Sequence, residues 1–216
     1  MTYRALIRWS VLTMAIIVGA GLWALYIAPP GMEIPVHWNA TGEIDGYDTV
    51  LGAVLKTSLI SCGAIALIAA IPFFEPLQNK MDKSQPLYLS TWAAMLPFVL
   101  VLTALILAPA FGWSLNPSIF LVAMSLLFIA IGNVLPKSRR SYFLGIRTPW
   151  TLADDENWIA THRFGGKVFM LGGASMLLST LLPLTPTMRT TLVGTAIAAI
   201  VLLPILYSFL YWKRHS

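Results

Sequence analysis

The residues SQPLYLSTWAAMLPFVLVLTALILAPAFGWSLNPSIFLVAMSLLFIAIGNVLP, at positions 84–136, include no charged side chain. A helix that crosses a lipid bilayer needs about 20 apolar residues, so this stretch is long enough for two such helices. Its middle, 109–117, combines glycine, asparagine and two prolines, which favours a turn over one continuous helix. The stretch therefore predicts two membrane-spanning helices joined by a tight connection.

The rest of the chain has the same character. Only 11% of its 216 residues are charged and 57% are hydrophobic, whereas soluble domains average about 25% charged residues. So few charges cannot cover a surface that faces water, which excludes a soluble globular domain. The uncharged runs predict an all-α, polytopic integral membrane protein with a single membrane domain, 1–216, and a bundle of about six transmembrane helices at 9–28, 53–74, 87–108, 117–135, 167–183 and 190–211.

The basic residues predict how this bundle is oriented. Of the 14 Lys and Arg residues, two, Lys56 and Arg189, lie on one side of the predicted spans, and the other twelve lie on the opposite side. Lys and Arg collect on cytoplasmic loops, so we expect both termini to be cytoplasmic. The same bias accounts for the net charge of +5, so nucleic acid is not an expected partner.

Two loops are longer than their connections require, and long loops in small proteins tend to be functional. The outer loop, 29–52, contains IPVHWNATGEIDGYD at 34–48. We expect it to be structured and to face a ligand. A metal site formed by His37 with Glu43, Asp45 and Asp48 is an open alternative. The predicted ligand-facing residues are His37, Trp38, Asn39, Glu43 and Asp45.

The inner loop, 136–166, contains a helix signal. Thr151 precedes Asp154 by three residues, a pattern close to a capping box, and the acids that follow favour the positive end of a helix dipole. We therefore predict a short interfacial helix over 152–164, ended by the glycines at 165 and 166.

On this predicted helix Asp155, Trp158 and His162 share a face. A His–Asp pair for proton transfer is one hypothesis, and a structural hydrogen bond that locks the loop is the favoured one. No nucleophile elbow, His-Glu-x-x-His, phosphate-binding glycine loop or CxxC motif is present in the sequence, so we predict no catalytic residue, metal or cofactor.

The outer IPVHWN..GE.DGY segment and the inner GN..PK.R..YF.GIRTPWTL....W..THR..G segment together resemble the SdpI family of bacterial membrane immunity proteins. The resemblance implies a multi-pass protein of the bacterial cytoplasmic membrane that protects the cell from a secreted peptide toxin. The chain departs from the family where Arg140-Ser141 replaces Pro-Asn and where Ile44 replaces Pro. The inner motif falls on Asn133, Lys137, Arg139, Tyr142, Arg147, Thr148, Trp150, Thr151, Trp158, His162 and Arg163.

The leading functional prediction is a non-enzymatic membrane immunity or receptor protein. Its outer loop would meet the toxin, and its inner loop would brace the bundle or signal to a cytoplasmic repressor. We expect Arg147 to be packed in the inner loop as a partnered charge, and Arg140-Ser141 to alter a surface for a cytoplasmic partner. Two alternatives stay open: a transporter of a small or lipid-like substrate, and a membrane-surface enzyme that uses Asp155, His162, Arg147 and Arg163. No oligomeric state is predicted.

Overall fold

The computed structural model describes residues 2–38 and 43–215, with side chains at all of these except 78–81. Long helices dominate it, accompanied by one β-hairpin and one short helix. In chain order the elements are α1 Tyr3–Ile27, β1 Glu33–Trp38, β2 Ile44–Thr49, α2 Val50–Phe74, α3 Gln78–Leu107, α4 Ser118–Val134, α5 Pro149–Ala153, α6 Asp155–Leu181 and α7 Pro186–His215.

Six of these helices are long and apolar enough to cross a membrane. Their outward faces expose large apolar side chains such as Leu22, Leu59 and Leu171. Water penalises such surface, whereas lipid hydrocarbon accommodates it. The chain is therefore an all-helical, multi-pass membrane protein, which confirms the prediction from the uncharged runs.

The predicted turn between the third and fourth spans is present. A 3-10 helix, Ala108–Phe111, follows α3 and ends at Gly112, which has a φ of 73°. Asn116 then accepts a hydrogen bond from the backbone N–H of Ser118 at 2.9 Å, which satisfies one of the free donors at the start of α4.

The long helices form two packed groups. Helices α1, α2 and α3 pack against one another, α6 packs against both α4 and α7, and the contact between α3 and α4 joins the groups. In the first group Trp92 is fully buried with Leu6 and Ile65, and its indole N–H donates to Ser10 Oγ at 2.9 Å. A buried indole requires such a partner.

Glycines bring α4 and α6 into close contact. A Cβ atom on Gly132 would lie 2.8 Å from the carbonyl oxygen of Gly166, and one on Gly173 would lie 2.8 Å from that of Ser125. Gly172 faces α7 instead, where its Cβ would lie 2.7 Å from Ile200. The small residues of α6 therefore permit close helix packing within the bundle.

The prediction of a separate helix over 152–164 is wrong. Helix α6 runs without a break from Asp155 to Leu181, through Gly165 and Gly166. Glycine lowers helix stability by about 1 kcal/mol relative to alanine, but here its missing side chain is what lets α4 approach, and that packing outweighs the local preference. The charged turns at 154–163 are therefore the start of the fifth long helix.

The outer loop folds into an antiparallel hairpin, which the sequence did not predict as strands. Glu33 pairs with Thr49 and Trp38 with Ile44, and the register is irregular on both sides of His37. We call the end of the bundle that carries this hairpin the hairpin end. The opposite end carries residues 135–154, and we call it the motif end.

Candidate functional site

At the motif end, residues 138–148 form a compact loop, the motif loop, that is fastened to α6 by His162. This side chain is fully buried. Its Nδ1 lies 2.7 Å from the Trp158 carbonyl oxygen, and its Nε2 accepts from the Ile146 backbone N–H at 2.9 Å. A neutral imidazole with its proton on Nδ1 satisfies both bonds. Both ring nitrogens are thus engaged with backbone groups, and Asp155 instead lies 3.0 Å from Arg140 Nε.

Gly145 lets the motif loop pass directly over this histidine. Its φ is 103°, and a Cβ atom there would collide with His162 Nε2 and approach the Trp158 ring to 2.9 Å. The imidazole stacks on the Trp158 ring with 4.1 Å between centroids, and the Trp158 indole N–H donates to Ser138 Oγ at 3.1 Å. The path of the loop therefore requires glycine at this position.

A buried polar network joins α5, α6 and α7. Thr148 caps α5, with its Oγ1 accepting from the Thr151 backbone N–H at 3.1 Å, and Thr151 Oγ1 accepts from the Thr148 N–H at 2.9 Å. The capping pair is thus Thr148 and Thr151, not Thr151 and Asp154 as predicted. The Thr148 hydroxyl also lies 3.1 Å from Ser208 Oγ on α7, and Asn157 Nδ2 donates to the Ser208 carbonyl at 3.0 Å.

Sequence reasoning missed Glu75, which follows α2 and is only 2% exposed. Its carboxylate accepts from Ser141 Oγ at 2.5 Å and from the Tyr142 and Phe143 backbone N–H groups at 3.1 and 3.3 Å. It also accepts from the Leu77 N–H at 3.0 Å. Desolvation alone would raise the pKa of this carboxyl, but the hydrogen bonds outweigh it and hold the pKa below its ordinary value.

The departure of Ser141 from the family pattern suggested a surface that meets a cytoplasmic partner. That expectation is wrong for Ser141. It is 3% exposed, and its hydroxyl also accepts from the backbone N–H groups of Phe143 and Leu144 at 3.2 and 3.0 Å. The only sequence signal for Glu75 was a lone acid directly after a span in a chain with few charges.

The other predicted motif residues divide by burial. Arg147 is exposed, and its guanidinium donates to the Tyr142 carbonyl at 2.8 Å, so the expectation of a packed charge is wrong. Trp150 packs on Phe209 of α7, with 5.1 Å between ring centroids. Arg139 is half-buried, and its backbone N–H donates to Ser84 Oγ at 2.8 Å. The exposed motif residues are Asn133, Lys137, Tyr142 and Arg163.

At the hairpin end a cavity of about 280 Å³, the hairpin pocket, lies between β1 and the ends of α3 and α4. Trp38 and His37 line it from the hairpin, and Leu102, Ile106 and Phe120 line it from the bundle. The Trp38 ring and the apolar floor formed by Leu102, Ile106 and Phe120 suit an apolar side chain of a ligand. Asn39 lies outside the described residues.

Two charge pairs involve side chains of the hairpin. His37 Nδ1 lies 2.6 Å from Asp45 Oδ1, and their side chains are 70% and 44% exposed. Asp48 Oδ2 lies 2.7 Å from Lys56 Nζ, and that hydrogen bond holds the Asp48 pKa below its ordinary value. Among residues 2–38 and 43–215, no three His, Cys, Asp or Glu side chains are grouped so as to hold a metal ion. Glu43 is exposed.

These features define a multi-pass helical membrane protein with a pocket-forming hairpin at one end and a hydrogen-bonded loop at the other. The model of the SdpI/YfhL protein family matches residues 137–211. The chain is also 24% identical to the immunity protein SdpI of Bacillus subtilis (strain 168) over 142 residues, which are 65% of this chain. The match spans 66% of that relative's length, just under two thirds. No solved structure matches the chain significantly. The resemblance to the SdpI family is thereby confirmed.

Proposed function

We propose that this chain is a non-enzymatic membrane immunity protein that recognises a secreted peptide toxin at its hairpin end. The observation that carries the proposal is the hairpin pocket. It combines an apolar floor with a polar rim formed by the His37–Asp45 pair. A peptide presents the matching chemistry, with an apolar side chain for the pocket and polar groups for the rim.

The hairpin itself supports a peptide as the ligand. A two-stranded sheet has unpaired backbone groups along its outer edges, and an extended peptide can add to such an edge through main-chain hydrogen bonds. The similarity to the immunity protein SdpI favours the same conclusion.

The motif end supports a bracing role over the enzyme alternative. A general base needs a free lone pair aimed at a substrate, whereas both nitrogens of His162 are bound to the backbone of the motif loop and α6. The transporter alternative needs polar groups at membrane depth, and the cavity of about 580 Å³ between the helices has an apolar lining.

We place the protein in the bacterial cytoplasmic membrane, with the motif end and both termini in the cytoplasm. The excess of Lys and Arg at that end supports this orientation. A cytoplasmic repressor would then meet the exposed surface around Lys137, Tyr142 and Arg147.

Labelling of single cysteines tests the orientation. In a Cys62→Ala background, Tyr47→Cys should react with a membrane-impermeant maleimide on intact cells, and Lys137→Cys should not. Both positions are exposed, so both should react after the cells are permeabilised. The reverse pattern on intact cells would overturn the orientation and the proposed roles of both ends.

Survival assays test toxin recognition. Cells that express wild-type protein should survive spent medium from the strain that carries this gene. Trp38→Ala should remove the protection, because loss of a central aromatic contact costs about 2 kcal/mol or more, which is roughly thirtyfold in affinity. His37→Ala should weaken it less, because the residue is more exposed.

The matched control is Tyr47→Ala, which removes an exposed ring from the same hairpin without touching the pocket lining. It should protect as wild type does, at equal membrane abundance. If Trp38→Ala and Tyr47→Ala protect equally well, the hairpin pocket is not the recognition site.

A further inference from the structure

A second and larger cavity lies at the motif end, where the two helix groups separate. Its volume is about 580 Å³, within the roughly 300–1,000 Å³ typical of ligand pockets. Helix α2 contributes one wall and α3 a second, while α4 and α6 contribute Ile131 and Phe169. The motif loop closes it with residues 143–146. We call it the inter-helix cavity.

The lining of this cavity disfavours water as a filling. Nearly all the lining side chains are apolar, and Thr91 is the one with a hydroxyl. Apolar cavities stay dry because a water molecule inside would lose its hydrogen bonds. An empty cavity would in turn deprive its lining atoms of contacts on one side. An apolar occupant resolves both problems.

The cavity opens toward the hydrocarbon. Two lining residues on α2, Leu67 and Phe74, are 73% and 66% exposed. They belong to a helix that spans the membrane, so their outer surfaces face lipid. Acyl chains are the apolar molecules present there, and one can enter sideways without crossing water.

Charge at the motif end selects the headgroup. Lys83 is exposed and precedes the lining residue Leu87 by one helical turn, so both lie on one face of α3. Arg147 is exposed and directly follows the lining residue Ile146. The exposed acid Asp82 adjoins Lys83 in sequence, and Glu75 is enclosed by hydrogen bonds from the loop. Basic side chains beside lining residues of the cavity favour an anionic headgroup.

We infer that the inter-helix cavity binds one acyl chain of an anionic phospholipid, whose headgroup lies beside Lys83 and Arg147. The site is independent of toxin recognition, because it lies at the other end of the bundle. The bound chain fills the gap between the helix groups and packs against the motif loop.

Photo-crosslinking tests the inference. Purified protein in detergent would receive a low molar ratio of phosphatidylglycerol that carries a diazirine on its acyl chain, and crosslinked peptides would be mapped by mass spectrometry. Crosslinks should concentrate on 64–74 and 143–146, and unlabelled phosphatidylglycerol should compete better than phosphatidylcholine. Crosslinks spread evenly over the exposed helix faces would overturn the inference.

Cavity-filling variants give a second, independent test. Ala64→Phe and Ala70→Phe place a ring in the cavity lining, and each should abolish these crosslinks. Ala66→Phe is the matched control, because it adds the same ring to an exposed position of the same helix, and it should leave them unchanged. Retention of wild-type crosslinking by a folded, monodisperse Ala64→Phe or Ala70→Phe variant would contradict the site.

Variants of the two basic residues test the preference for an anionic headgroup. The double variant Lys83→Gln, Arg147→Gln should keep the crosslinks at the same peptides and lose the preference for phosphatidylglycerol over phosphatidylcholine. An unchanged preference would reject the anionic headgroup.

Discussion

Replacing Glu75 with leucine should lower the stability of the folded protein by at least about 3 kcal/mol. The substitution leaves three donors, the N–H groups of Leu77 and Tyr142 and the hydroxyl of Ser141, without their acceptor. Each buried donor without a partner costs about 1–3 kcal/mol, against a total stability of about 5–15 kcal/mol. Thermal unfolding of the detergent-solubilised protein, followed by tryptophan fluorescence, measures the loss.

A conservative variant separates shape from hydrogen bonding. Glu75→Gln keeps the shape but turns an N–H₂ group toward donors, so it should cost about 1–3 kcal/mol. Glu33→Gln removes an exposed carboxylate and should change the stability little. If Glu75→Leu were as stable as Glu33→Gln, the carboxylate would not anchor the motif loop.

The pH dependence follows from the direction of the pKa shift. The pKa of Glu75 in the folded protein is lower than its ordinary value of 4.5, so the unfolded chain binds the proton more tightly. The contribution of Glu75 is therefore complete above about pH 5 and is lost as the pH falls through the folded-state pKa. The stability difference between wild type and Glu75→Leu should accordingly shrink in acid.

Three glycines, Gly31, Gly112 and Gly145, have a positive φ. Of the three replacements by alanine, Gly145→Ala should lower the stability of the folded protein most. An alanine at positive φ costs about 1–2 kcal/mol, and here the added Cβ also collides with His162 Nε2. Overpacking of this kind adds about 1–3 kcal/mol, because His162 must give up its bond to the Ile146 N–H or move off the Trp158 ring.

Gly112→Ala and Gly31→Ala are the matched controls. Their φ angles are 73° and 77°, and a Cβ atom at either meets open space. They should show the backbone cost alone, so the difference in thermal midpoint between them and Gly145→Ala isolates the collision. Equal midpoints for the three variants would mean that the motif loop has room to move away from His162.

The membrane-spanning architecture was predictable because its signal is local and strong. A run without charges, such as 84–136, has few explanations besides membrane burial, and the prolines and glycine within it mark the turn. The strands of the hairpin carry no such signal. β1 contains Pro35 and the register is irregular around His37, so polar and apolar residues do not alternate cleanly.

The motif loop was recognisable in the sequence as a unit, but its hydrogen-bond partners were not. Glu75 and Ser141 are 66 residues apart in sequence, and nothing local to either predicts that they meet. Arg147 illustrates the opposite error, since a residue in the middle of the motif proved to lie at the surface. The continuous course of α6 through Gly166 depends on the approach of α4, which a local helix-stop pattern cannot include.

The long separation between Glu75 and its loop partners has a consequence for how the chain is made. When α2 has left the ribosome, Ser141, Tyr142 and Phe143 have not yet been synthesised, so the carboxylate must stay hydrated at the membrane surface. It can be enclosed only after α3 and α4 have inserted and the motif loop has followed. Formation of these hydrogen bonds is thus a late step of assembly, and a chain truncated before Ser141 would leave the Glu75 carboxylate without its donors from the motif loop.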